Sequence, residues 1–164
     1  MIGDRWGVSE DETALPYACD VLAPSPTLSA WRGVTVRADP GSVWPWLGQI
    51  RAAPYSYDWI DNLGRRSPRR LLGLPEPRVG DPFTTVGGRE LGRIVAVDSG
   101  RQVTGTILGA HMSYLLVPTQ PGVTRLLLKV VMATQRWVAP AVSVGDLVMA
   151  RRQLLNLKAL AERG

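Results

Sequence analysis

Between residues 82 and 134 the chain holds five apolar, β-branched runs with almost nothing between them. The runs cover 82–86, 90–97, 102–108, 112–118 and 123–134, and their junctions are Gly87-Gly88, Ser99-Gly100, Gly109-Ala110 and Pro121-Gly122. Gly, Pro and Ser at such points supply tight turns. No junction has room for a helix, whereas parallel neighbours need a crossover of a dozen or more residues. Consecutive antiparallel strands are predicted, and a doubly wound parallel sheet is excluded. An earlier stretch, 31–38, alternates Val34 and Val36 against Thr35 and Arg37, which adds a strand. A sheet with one apolar face needs a cover. The end of the chain offers it as a helix over 144–163, where Leu147, Ala150, Leu154, Leu157 and Ala161 form one apolar stripe and Val148, Leu155 and Ala159 a second. Two stripes predict contact on more than one side. Ser143 and Asp146 resemble a capping box at its start. At 1.5 Å per residue the helix is about 25–30 Å long, enough to cross a curved sheet.

Two short helices are predicted between the first strand and the meander. Asp39-Pro40 stops the strand, with Asp39 as N-cap and Pro40 at the first helical position. Val43, Trp46, Leu47 and Ile50 follow at helical spacing. A second helix is expected over 57–63, with Ser56 as cap and Gly64 as terminator. This region carries Trp44, Trp46 and Trp59, three of the six tryptophans, with Tyr55 and Tyr57. Such side chains bury the largest apolar areas, so they are expected to surround one place. Residues 1–30 have no sustained period and many Pro, Ser and acidic residues, and read as an extended arm. The expected plan is an arm over 1–30 and one α+β domain over 31–164.

Composition removes several function classes. With 164 residues, 45% hydrophobic and 20% charged, the chain is neither disordered nor too small for a core. The one cysteine, Cys19, forms no intramolecular disulfide, fits a reducing compartment and builds no zinc site alone. The first residues lack a signal-peptide run, and the most apolar stretch, 126–133, is short and broken by Lys129. The expectation is a cytoplasmic protein with no membrane span. The net charge of +5 is compatible with nucleic acid or an anionic surface. Yet the basic residues are scattered, apart from Arg65, Arg66, Arg69 and Arg70 in a Pro-containing linker. A solvated loop is the expectation there, with no specific nucleic-acid partner. No H-x-x-x-H, C-x-x-C, calcium loop, Walker lysine or G-x-G-x-x-G occurs, so no cofactor or metal is expected. No G-x-S-x-G surrounds a serine. The single histidine, His111, has the strand parity opposite Met112 and Tyr114 and is expected to point away from the interior.

The order of strand, two helices, antiparallel meander and long C-terminal helix resembles the helix-grip fold of the START-like, or SRPBCC, superfamily. The phrases VWPWLGQI (43–50), YSYDWIDNLG (55–64), RVGDPF (78–83), VTRLLLK (123–129) and LLNLKALAE (154–162) resemble its bacterial polyketide cyclase/dehydrase-like branch, over residues 15–163. The resemblance implies a curved antiparallel sheet of six or seven strands around the last helix, with a pocket between them. Strand parity assigns candidate lining residues. If Arg125 and Lys129 face solvent, then Leu126, Leu128, Val130, Met132 and Thr134 face inward, with Met112, Tyr114 and Leu116 on the preceding strand. The second short helix would add Tyr57, Asp58 and Trp59, and the last helix Val148 or Leu147 with Arg151 or Leu155.

Asp58 and Asp61, three apart, share a helix face, and two carboxylates can divide acid and base roles. They also serve as ordinary partners of a helix N-terminus or of arginines. The leading expectation is binding of a small hydrophobic or aromatic metabolite. The alternative is a cofactor-free cyclase or dehydratase in the same pocket, with Asp58 as acid/base and Tyr57 or Tyr114 hydrogen-bonding a substrate oxygen. An anionic-surface or nucleic-acid binder using the arginine cluster is the third.

Overall fold

A computed structural model describes residues 3–164 and has the α+β helix-grip architecture. Its strands are β1 (Arg5–Trp6), β2 (Leu28–Val36), β3 (Pro82–Val86), β4 (Arg89–Asp98), β5 (Gln102–Ile107), β6 (Ala110–Gln120) and β7 (Val123–Met132). They make one sheet in the order β1-β2-β7-β6-β5-β4-β3. β3 to β7 form the antiparallel meander, and β2 closes back onto β7, pairing Val34 with Leu126 and Arg32 with Leu128. The two-residue β1, absent from the sequence reading, pairs parallel with β2. The helices are α1 (Glu10–Thr13), α2 (Pro40–Gly48), α3 (Asp58–Asp61) and α4 (Ala139–Glu162).

α4 is longer than expected: 24 residues, about 36 Å by its rise. It starts at Ala139 with a proline in its first turn, where the missing N–H costs nothing. Ser143 and Asp146 therefore lie inside the helix and make no capping box. Asp146 instead reaches Arg32 on β2. The first apolar stripe behaves largely as predicted: Ala150, Leu154, Leu157 and Ala161 are buried against the sheet and α2, and Leu147 is half-buried. The second does not, since Val148 and Leu155 are exposed. One face of α4 suffices to cover the sheet, and on the other the Trp6 ring meets Arg151.

At Asp39 the expected cap is positional only. Its side chain makes no capping bond, and Oδ1 accepts from Gly122 N of the β6–β7 turn at 2.8 Å. Trp44 and Trp46 join the core below α2, with Trp46 edge-on to Tyr55 at 6.3 Å. Buried Gln49 binds the Tyr55 hydroxyl, Arg70 O and Leu72 N, pinning the long loop that follows α3.

The back of the sheet corrects one expectation. Arg125 and Lys129 do leave the α4 side, and Leu126, Leu128 and Val130 do face it, but the back is not open to water. Residues of the N-terminal segment cover it. Tyr17 and Cys19 are buried with Leu115, Leu127 and Val131 in a second apolar cluster. Arg125 pairs with Glu12 at 2.6 Å and Lys129 with Asp20, while the Lys129 ammonium lies over the Trp31 and Tyr17 rings. Strand alternation tells which face a residue takes, not what lies beyond that face.

Candidate functional site

Between the open edge of the grip and α4 lies a cleft of about 450 Å³. β3 contributes Phe83, Thr84 and Val86, β5 and β6 contribute Ile107, Met112 and Tyr114, and α4 contributes Asp146, Met149, Ala150 and Gln153. The Phe83 ring can lie over the sheet because residue 105 is glycine: a Cβ there would stand 2.0 Å from Phe83 Cδ2. Phe83 then packs against Tyr114 at 6.2 Å between centroids. At the rim, Leu108 is exposed and holds a left-handed φ of +49° in the β5–β6 turn, a conformation that is uncommon for a bulky residue.

One wall of this apolar cleft is polar. The buried Tyr114 hydroxyl donates to Gln153 Oε1 at 2.5 Å, and Gln153 Nε2 donates to Pro54 O at 2.7 Å. Beside them Asp146 Oδ2 accepts from Arg32 Nη2 at 3.1 Å. The Arg32 side chain is fully enclosed and also donates to the Asp4, Trp31 and Ser143 carbonyls. Burial raises the Asp146 carboxyl above its ordinary range, and the Arg32 charge opposes that shift only in part. Burial likewise pushes the Tyr114 phenol up, with the Asp146 charge adding to it. Thr84 Oγ1, buried in the cleft wall, has no hydrogen-bond partner among the described residues. Sequence pattern does not mark Arg32, Asp146 or Gln153 as site residues. A lone arginine in a strand with no other charged residue, LSAWRGVTV, is the available signal for the first.

A second hollow, of about 500 Å³, opens on the other side of the Pro54–Ser56 segment, and Ser56 borders both. It is lined by Tyr57, Asp58, Trp59, Arg69, Arg152, Asn156 and Arg163, among others. Tyr55, at a left-handed φ of +56°, turns the chain between the two hollows. The segment is strapped to α4 by Asn156, which donates to Tyr55 O and Ser56 O. Asp58 uses both carboxylate oxygens on Ser67, accepting from N at 2.9 Å and Oγ at 2.6 Å. The Asp61 side chain lies outside the described residues.

The expected site residues thus divide. Met112 and Tyr114 line the apolar cleft; Tyr57, Asp58 and Trp59 line the second hollow. The trio of Asp58, Tyr57 and Tyr114 is not gathered in one cavity. Leu116, Leu126, Leu128 and Val130 are buried in the core, and Met132 packs against that core, so none of them borders the cleft. The free volume sits over β3 to β6, where the helix has diverged from the sheet. Thr134 follows β7 and ties to Thr27, its N–H donating to Thr27 Oγ1 at 2.7 Å. Val148, Arg151 and Leu155 are on the outward face of α4, with Arg151 over the Trp6 ring. The expected helix contribution was one turn-face off, because the buried stripe alone faces the sheet. His111 bonds Thr106 and points away from the cleft as parity predicted.

No known protein family's sequence profile matches this chain, and no curated protein does. Solved structures do match. A Rhodobacter sphaeroides protein aligns at TM-score 0.58 and 18% identity over 84% of this chain and 95% of its own. An Arthrobacter aurescens protein aligns at 0.52 and 15% identity over 84% and 88%. A Mesorhizobium loti protein aligns at 0.51 and 16% identity over 82% and 97%. These bacterial proteins share the sheet-and-last-helix fold. Likeness at this identity concerns the fold alone.

Proposed function

We propose that this chain is a START-like, SRPBCC-type bacterial protein that binds a small apolar or aromatic molecule in the cleft beneath α4. The cleft itself carries the reading. Its volume of about 450 Å³ falls in the size range of small-molecule sites, and its mostly apolar lining with a few convergent polar groups has their character. An unpaired buried hydroxyl costs about 1–3 kcal/mol, so Thr84 Oγ1 favours a ligand with a polar atom at that wall. Tyr114, Gln153 and Asp146 would orient that end, while Phe83, Ile107, Met112 and Met149 would take the apolar body.

The test is native mass spectrometry of protein purified from its own host, seeking a co-purifying small molecule, repeated on Met149→Trp. The tryptophan should fill the cleft and abolish the bound mass while melting temperature changes little. A bound mass retained in full by Met149→Trp would sink the cleft reading.

A second reading is a cofactor-free cyclase or dehydratase. It is favoured by Asp146, a carboxyl of raised proton affinity beside a tyrosine at the cleft wall, which is the kind of group that does acid–base work. Asp146→Asn separates the two. A binder should hold a neutral ligand within about tenfold. An enzyme should lose on the order of 10²–10⁴ in rate, read as loss of water from the co-purified molecule. Asp58 and Tyr57, in the neighbouring hollow, would take no part in either.

A further inference from the structure

The second hollow is independent of the cleft reading and has its own chemistry. Three guanidinium groups border it, from two remote parts of the chain: Arg69 in the loop after α3, and Arg152 and Arg163 on α4. Residues 152, 156, 159 and 163 all line it, a spacing that keeps one stripe of the helix turned toward the hollow. None of the three arginines forms an ion pair among the described residues. Among the described residues, the nearby acids are engaged elsewhere: Glu162 with Lys158 and the Arg37 amide, Asp58 with Ser67. Among the described residues, three positive charges face the one carboxylate of Asp58, which makes the hollow cationic. Its remaining border is aromatic. Tyr57 lies under Arg152 at 5.7 Å, and Trp59 is 75% exposed, with much of its indole open to solvent.

We infer that this hollow binds a phosphate monoester carried on an aromatic body. Such a group bears about −1.5 to −2 charge at neutral pH and three acceptor oxygens, which matches the surplus of guanidinium donors. A flat ring beside it would stack on Trp59, as sequence-tolerant aromatic platforms do in other sites. A carboxylate would meet only half of the surplus charge. The arginines of the 65–70 cluster are not equivalent on this account: Arg69 lines the hollow, while Arg65, Arg66 and Arg70 are exposed outside it.

The experiment is calorimetric titration of the intact chain with phenyl phosphate, inorganic phosphate and benzoate. Phenyl phosphate should bind tightest, and its affinity should fall steeply as salt rises. Arg69→Gln, Arg152→Gln and Arg163→Gln should each weaken it about threefold to tenfold, in proportion to one charge-assisted bond at a solvent-accessible site. Trp59→Ala should bring phenyl phosphate down to the level of inorganic phosphate. The control Arg65→Gln/Arg66→Gln/Arg70→Gln should leave binding within twofold, and unchanged melting curves for these surface variants should exclude unfolding as the cause. Met149→Trp, which fills the apolar cleft, should not affect it. Equal losses in the control triple would mean that net charge alone attracts the anion and would overturn the site. Equal affinity for inorganic phosphate and phenyl phosphate would overturn the aromatic half of the inference, and loss in Met149→Trp would move the ligand to the cleft.

Discussion

At the scale of single residues, Arg32 stands out as a charged group among the largest fully buried side chains. It is fully enclosed, pairs with Asp146, and still leaves Nε without a partner among the described residues. Burial works against both charges of the pair, lowering proton affinity at Arg32 and raising it at Asp146. Such a pair is poor as a source of net stability but costly to break. Asp146→Ala should therefore destabilise by about 3–5 kcal/mol, because it strands a buried guanidinium. Replacing both, as Arg32→Met with Asp146→Leu, should recover most of that loss. Urea denaturation of the three variants measures it; a neutral Asp146→Ala would show that Arg32 finds water when its partner is removed.

At the scale of elements, the contact between the N-terminal segment and the back of β7 depends on charge. Glu12 is the centre of that contact. It caps α1 reciprocally with Ser9 and pairs with Arg125, and the hydrogen bond from Arg125 is the main reason its carboxyl sits below its ordinary value of 4.5. A depressed carboxyl contributes stability that is present above its unfolded value and lost as pH falls through the folded one. Docking of this segment should thus hold at neutral pH and weaken below about pH 4.5. Hydrogen exchange at the Ala18 and Cys19 amides, which bond Gln102 and Ser113, reads the docking directly. Glu12→Gln should lower the protection of those amides, relative to their intrinsic rates, at pH 7 and flatten its further loss in acid; identical protection profiles for the variant and the parent would assign the anchoring to the apolar Tyr17–Leu127 cluster instead.

At the scale of the whole molecule, packing decides where ligand space exists. α4 packs on the sheet over β2, and Leu128 on neighbouring β7 is completely buried in the main core cluster. Over β3 to β6 the same helix leaves the cleft. Leu128→Trp should accordingly act as overpacking, costing about 1–3 kcal/mol or more, whereas Met149→Trp should lose ligand with little change in stability. Paired thermal melts and ligand-binding measurements on the two variants check this. If Leu128→Trp were the harmless one, the free volume would lie over β7 after all.

Local pattern alone determined much of this fold. The strand runs and their two-residue junctions left antiparallel pairing as the only short-range solution, and the stripe from Ala150 to Ala161 named the face of α4 that would be buried. Period-2 alternation also separated Leu126, Leu128 and Val130 from Arg125 and Lys129 correctly. These are properties of neighbours in the chain, set by side-chain direction in a strand or helix. What only the tertiary structure decided depends on residues far apart. The gap between α4 and β3 to β6 follows from how a rigid helix meets a twisting sheet. The partnership of Arg32 with Asp146 spans 114 positions, and that of Tyr114 with Gln153 spans 39. No local period encodes a distance of that kind. Asp146, which local spacing reads as a helix cap, therefore becomes part of a cleft wall only once the helix has docked.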